Sequence, residues 1–228
     1  MSSISVPEAA QRLGVSEGRV RQRIADGSLL AERVGGRWVI AESSLPAARD
    51  RLHARPLSVR MSAAVLALLD RQVPDVSPQE KSRARKYAKR LMEADAEAAA
   101  LMRAWFKERA SRRYFRAAEA DLAALGQDHR LALSGVSAAQ SGIVAQGLVE
   151  GYVAAADLES LVEDYFLVPG QVGDGNVIIH VPNGSEQSLV LDRVRDSKAL
   201  LAADLAEHNG SREDARVREL INSLADVR

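Results

Sequence analysis

The chain runs to 228 residues, 46% of them apolar yet only 4% aromatic, with no cysteine and four histidines. Abundant alanine favours helix over sheet, and the lack of cysteine excludes disulfides and thiolate metal sites. With neither a basic-then-apolar leader nor an apolar run of ~18–20 residues, a cytoplasmic protein without a membrane span is predicted. The net charge of zero conceals an asymmetry: residues 1–116 carry 23 Lys and Arg against 13 Asp and Glu, and residues 117–228 carry 8 against 18. A half at +10 followed by one at −10 predicts that the first meets a polyanion and leaves the second to a basic protein partner.

Ser5 and Glu8 read as a capping box, and Pro7 falls in the first turn, where its missing N–H costs nothing. A helix is predicted to about Leu13, turning Ala9, Ala10 and Leu13 inward and ending at Gly14. Ser16 caps a second helix that runs to about Asp26 and stops at Gly27. Val20 and Ile24, four apart, share its inner face, with Val15 packing from the turn. Stepping 100° per residue from that pair places Gln22 opposite the core, Gly18 and Arg19 beside it, and Arg21 and Arg23 on the flanks. Guanidinium and amide groups make paired hydrogen bonds to guanine and adenine, so Arg19 and Gln22 are the candidates to read base edges. Arg21 and Arg23 are the candidates for phosphates, and Ser16 joins the DNA-contacting set at the start of the helix.

A hairpin follows, with strands at Leu30–Val34 and Arg37–Ile40 and Gly35-Gly36 supplying the positive φ angles of a two-residue turn. Arg33 and Arg37 flank its tip, placed to reach the backbone or the minor groove. Trp38 is assigned to the small core rather than to a base stack. Through Val6-Pro7-Glu8-Ala9-Ala10, Leu13-Gly14-Val15-Ser16, Val20-Arg21, Asp26-Gly27 and Gly36-Arg37-Trp38, residues 3–45 resemble the winged helix-turn-helix of excisionases and MerR-type regulators. That resemblance implies DNA binding.

The proline- and arginine-rich residues 46–60 read as a linker, followed by a short apolar helix from Ser62 to Leu69. Ser77 with Glu80 makes a second capping box, with Pro78 at the first helical position, and no Gly or Pro interrupts helix to about Ala110. Ala84, Tyr87, Leu91, Ala94, Ala98, Leu101 and Trp105 repeat at alternating spacings of three and four. They are either a coiled-coil dimer seam or the buried face of two helices folded back together. Lys81, Arg83, Arg85, Lys86, Lys89 and Arg90 either add non-specific DNA affinity or form a solvated face.

Beyond residue 117 short strands are predicted at Arg130–Leu133, Leu148–Val153 and Asn176–Val181, with helices at Ala155–Tyr165, Lys198–Glu207 and Arg212–Leu224, the last capped by Ser211. His53, His129, His180 and His208 lack ligand spacing, and Ser134-Gly135-Val136-Ser137 lacks the frame of a nucleophile elbow. The glycines of 170–175 read as loop punctuation rather than a phosphate cradle, so no catalytic residue, metal or cofactor is expected. Arg130-Leu131-Ala132-Leu133-Ser134-Gly135-Val136-Ser137-Ala138-Ala139, Val149-Glu150-Gly151-Tyr152-Val153, Asn176-Val177-Ile178, Leu201-Ala202-Ala203-Asp204-Leu205 and Arg212-Glu213 resemble the C-terminal half of abortive-infection (AbiEi-type) type IV antitoxins. The resemblance implies an α/β domain behind a winged helix-turn-helix and a nucleotidyltransferase-like toxin as partner.

The expected fold is mainly α with an α+β C-terminal domain. Residues 1–45 form the winged helix-turn-helix, 46–76 a linker and short helix, 77–116 a basic helical segment, and 117–228 a small acidic mixed α/β domain. The expected function is a non-enzymatic, homodimeric regulator bound to double-stranded operator DNA, antitoxin and autorepressor of a toxin–antitoxin pair. The alternative is a transcription factor whose C-terminal domain senses a small molecule; an enzyme tethered to DNA finds no supporting residues.

Overall fold

A computed structural model describes residues 3–13, 15–25, 29, 31–41, 55–173, 175–184 and 190–226. The chain divides into two compact units, residues 1–55 and 56–228.

In the first unit a short strand β1 (Ser3–Ser5) leads into α1 (Val6–Leu13), which is followed by α2 (Glu17–Ala25) and the hairpin β2 (Ala31–Val34) and β3 (Arg37–Ala41). The capping box forms: Glu8 N donates to Ser5 Oγ at 3.4 Å, and Glu8 Oε2 accepts from Ser5 N at 2.8 Å. Arg19 N donates to Ser16 Oγ at 3.3 Å, which caps α2 as expected. Ile4, Val6, Ala9, Ala10, Leu13, Val20, Leu29 and Ile40 make one core, with Val15 and Ile24 packed against it. The strands run antiparallel in the order β1-β3-β2, with Ile4 opposite Ile40 and Val34 opposite Arg37. Gly35 and Gly36 turn the hairpin at φ of 55° and 80°, as a two-residue connection requires. The expected helix ends at Gly14, Asp26 and Gly27, and the strand start at Leu30, lie outside the described residues.

Trp38 departs from expectation. It shares a strand face with Ile40, but two residues nearer the tip the hairpin has run past the core, and its side chain is 36% exposed.

The second unit begins earlier than the linker reading allowed. Leu57 is buried and donates its N–H to Trp105 O at 2.9 Å, and Ser58 caps α3 (Val59–Leu69) through Met61 N at 3.3 Å. The linker positions 46–54 lie outside the described residues. The second capping box forms at the head of α4 (Pro78–Met92), but helix does not continue to Ala110. The chain turns at Asp95, whose φ is +41°, and starts again as α5 (Ala98–Trp105). Ala84, Leu91, Ala98, Leu101 and Trp105 are buried inside this unit, and the rings of Tyr87 and Trp105 meet edge to face at 5.1 Å. The heptad stripe is therefore the inner face of folded-back helices and not a dimer seam.

The arginine-rich stretch expected to close the basic helical segment is strand β4 (Ala110–Arg116), which departs from the sequence reading. After α6 (Leu122–Leu125) come β5 (Ala132–Leu133), β6 (Val149–Tyr152), α7 (Leu158–Asp164), β7 (Val168–Pro169) and β8 (Val177–Pro182), then α8 (Lys198–Ala206) and α9 (Ser211–Asp226). The sheet order is β5-β6-β8-β4-β7, with only β6 and β8 parallel. Because β4 pairs along its length with β8, from Ala110 opposite Pro182 to Phe115 opposite Val177, residues 77–116 and 117–228 fold as one unit rather than two. Ser211 is the first residue of α9 rather than its cap, and Asp214 N donates to Gly210 O at 2.8 Å.

α8 is buried on every side, which places Asp204 among apolar neighbours. Asp204 is fully buried and is satisfied from three elements: Arg109 Nε donates to its Oδ1 at 3.1 Å, Tyr152 OH at 2.7 Å, and Ser134 Oγ donates to Oδ2. Arg109 also bonds Glu207 and donates to Phe106 O at 2.9 Å. Burial lowers the pKa of this guanidinium; Glu207, Tyr152 and Asp204 outweigh it and hold the pKa well above its ordinary value. Beside it, Glu150 accepts from His180 Nε2 at 2.9 Å, His208 Nε2 at 2.7 Å and Val136 N at 3.0 Å. The approach is close enough that Gly135, at φ +55°, has no room for a Cβ, which would lie 1.9 Å from Glu150 Oε2.

Removing one partner of a buried pair leaves the other charge unsolvated. Asp204→Ala is therefore expected to cost the second unit about 3–5 kcal/mol, read in urea from Trp105 fluorescence in a Trp38→Phe background. A cost below about 1 kcal/mol would show the pair to be dispensable. Glu80 supplies a pH signature. Its carboxylate accepts from Ser77 N and Ser77 Oγ and from Arg60 Nε, which lowers its pKa from 4.5 to about 2. The folded state binds this proton more weakly than the unfolded chain, so the contribution is complete above 4.5 and lost as the pH falls toward 2. The difference in Tm between the wild type and Glu80→Ala should be constant near neutrality and close over that window; a difference unchanged from pH 5 to pH 2 contradicts the assignment.

Candidate nucleic-acid interface

The first unit presents α2 by its inner residues. Val20 is wholly buried and Ile24 packs on the same core, so Arg19, Arg21 and Gln22 all face solvent. Arg19 Nη1 donates to Gln22 Oε1 at 2.7 Å, which joins the two base-reading candidates into one donor-rich edge. Neither is paired with a carboxylate among the described residues. Gln22 keeps its amide N–H groups free for an acceptor, and Arg19 keeps its second terminal nitrogen. This is the arrangement that matches guanine or adenine edges in a major groove.

Arg21 lies one step around and pairs with Glu17 at 2.8 Å, both half-exposed. A solvated i,i+4 pair of this kind is worth about 0.3–0.5 kcal/mol, so a phosphate can displace Glu17 at little cost. Ser16 spends its hydroxyl on the α2 cap. The exposed N-terminal turn of that helix remains favourable to an anion.

Arg23 does not join them. The structure buries it to 6% exposure, because Leu29 N returns to Arg23 O at 3.0 Å and covers that turn of α2. The flank position that favoured a phosphate contact faces the chain's own fold, and Arg23 leaves the interface.

On the wing, Arg33 and Trp38 sit opposite one another across β2 and β3, with the guanidinium 6.0 Å from the ring centroid. Arg33 Nε donates to Gly36 O at 3.5 Å, and Arg37 is exposed at the far side of the turn. Two cations and an exposed indole thus occupy the tip. The indole, exposed rather than in the core, supplies a flat face beside them. Its place is legible only from the number of strand residues lying beyond Ile40.

The interface separates by variant. Arg19→Ala should cost about 1–3 kcal/mol and relax base preference at one position, whereas Arg37→Ala should weaken all duplexes alike. Arg23→Ala should lower the melting temperature of the first unit before it alters any salt dependence. Unchanged base preference in Arg19→Ala, measured by competition binding, would remove α2 from the groove.

Residues 1–43 match the family model described as DNA-binding protein Rv2175c, wHTH domain. No curated protein and no solved structure matches the chain. Among the described residues no helix is long and apolar enough to cross a membrane. The match and the geometry agree: the N-terminal unit is a winged helix-turn-helix DNA-binding domain.

Proposed function

We propose that the chain is a non-enzymatic DNA-binding transcriptional regulator, the antitoxin and autorepressor of a type IV toxin–antitoxin pair with a nucleotidyltransferase-like toxin. The observation that carries the regulatory part is the exposed Arg19–Gln22 edge on a recognition helix braced by a basic wing. Operator recognition by a homodimer on two half-sites about 34–36 Å apart follows from the small footprint of one such domain. The non-enzymatic reading rests on the polar core of the second unit, where both oxygens of Glu150 and of Asp204 already accept hydrogen bonds from the protein itself.

The partner half of the reading is supported at the end of α7. Phe166 N donates to Glu163 O at 3.2 Å and Leu167 N to Val162 O at 2.9 Å, a helix ending that places Phe166 at φ +48°, where glycine is the usual occupant. A phenylalanine held there in a left-handed conformation costs about 1–2 kcal/mol. It is nonetheless 84% exposed, next to Val168 of the edge strand β7 at 60%, with Val172 beyond that strand at 78%. An apolar group kept at a local cost and offered to solvent suits a partner's pocket, and we assign it to the toxin.

Co-purification of the chain with the protein encoded by the adjacent reading frame tests the pair. Phe166→Gly should leave the free chain as stable or more stable and weaken the complex at least tenfold. A complex unaffected by that change, or no complex with the neighbouring product, removes the toxin from this surface or from the reading.

A further inference from the structure

The geometry of the second unit points to a separate binding face, and we propose that the outer side of α4 binds the phosphate backbone of nucleic acid without reading its sequence. This helix carries six cations, Lys81, Arg83, Arg85, Lys86, Lys89 and Arg90, and one carboxylate, Glu80. Its buried line is Ala84, Ala88 and Leu91, and stepping 100° per residue from it places Lys86, Lys89 and Arg90 on the opposite side, with Arg83 and Arg85 on the two flanks.

Of the two carboxylates at the ends of this helix, Glu80 is engaged outside the cationic row and Glu93 offsets one member of it. Glu80 is held by Ser77 and by Arg60, and Glu93 lies 3.7 Å from Lys89. Among the described residues, the side chains of Lys81, Arg83, Arg85 and Lys86 make neither a hydrogen bond nor an ion pair. Lys81 with Arg85, Arg83 with Lys86, and Lys86 with Arg90 stand three or four apart, so the helix carries like-charge neighbours that disfavour it. Among the described residues, the one ion pair within the row that offsets this repulsion is Lys89 with Glu93, at its C-terminal end. Arg90 is further fixed over the Trp105 ring at 5.5 Å, which holds one charge of the row in place without neutralising it.

The spacing suits a polyanion. From residue 81 to residue 90 the helix rises about 13–14 Å, and phosphates of one DNA strand advance 3.4 Å along the duplex axis, so about four lie within reach. Unpaired point charges on flexible stems suit phosphates of any sequence, because they impose no directional pattern on base edges. A second cationic face of this kind would lengthen residence on DNA generally and leave the choice of site to α2.

The inference rests on the reading of the chain as a DNA-binding protein, and the test separates the two. Full-length Arg83→Gln/Arg85→Gln/Lys86→Gln is titrated by fluorescence anisotropy against a random-sequence duplex over a salt series. Each lost phosphate contact lowers the slope of log K against log salt by about 0.9, so the triple variant should lose about 2–3 and bind at least tenfold more weakly at low salt. Its melting temperature should be equal or higher, since repulsion is removed. In Arg19→Ala/Gln22→Ala the preference for fragments of its own locus should vanish while the α4 contribution to the slope remains. A persisting preference there defeats the recognition-helix reading alone. A slope change under about 0.5 overturns the proposal, as does a loss confined to one sequence. So does normal DNA binding with altered self-association, which would assign the face to an acidic protein surface.

Discussion

The ion pair between Arg109 and Asp204, both wholly buried, is the interaction around which residues 56–228 are assembled. A guanidinium and a carboxylate taken out of water cost several kcal/mol each, and only their mutual contact and the extra bonds from Tyr152, Ser134, Phe106 and Glu207 offset that cost. The requirement ties the residue before β4 to β6, to the turn at Ser134 and to α8 at once.

The first unit obeys a different constraint. Among the described residues its core is eight small and aliphatic side chains, with no buried aromatic. Such a core is shallow, so the hairpin outruns it and carries Arg33, Trp38 and Arg37 into solvent. Val20 at the centre of α2 fixes the rotation of that helix, and the rotation sets which of its arginines point outward. Arg19 and Gln22 face out, while Arg23 is covered by the returning chain at Leu29. Which side chains this helix offers to solvent is thus a consequence of helix phase rather than of arginine count.

Local chemistry was the legible part of the sequence. The two Ser–Glu capping boxes, the Gly35-Gly36 turn and the inward set of Ala9, Leu13 and Val20 each depend on residues within a few positions of one another, and each stands as read. Strand β4 did not show, because Ser111-Arg112-Arg113-Tyr114-Phe115-Arg116 looks like a solvated helix end until β8 lies beside it. The long basic helix was overextended for a related reason: Ala94-Asp95-Ala96 contains no breaker, and the turn at Asp95 is imposed by packing of α5. His180 and His208, 28 positions apart and read as dispersed, converge on Glu150 only through the parallel pairing of β6 with β8 and the return of α8. Strand β1 is three residues long and pairs with β3 from outside the hairpin, below the length at which alternation carries information.

The proposed function requires α2 to lie in a major groove with Arg19 against a base edge. Guanine-methylation interference on the DNA flanking the chain's own reading frame tests it most directly, because a methyl group at guanine N7 blocks the acceptor that a guanidinium uses there. The expected result is interference at a small number of guanines in two clusters about one helical turn apart, absent for Arg19→Ala. Binding by the wild type with no guanine N7 sensitivity anywhere in the protected region would contradict it.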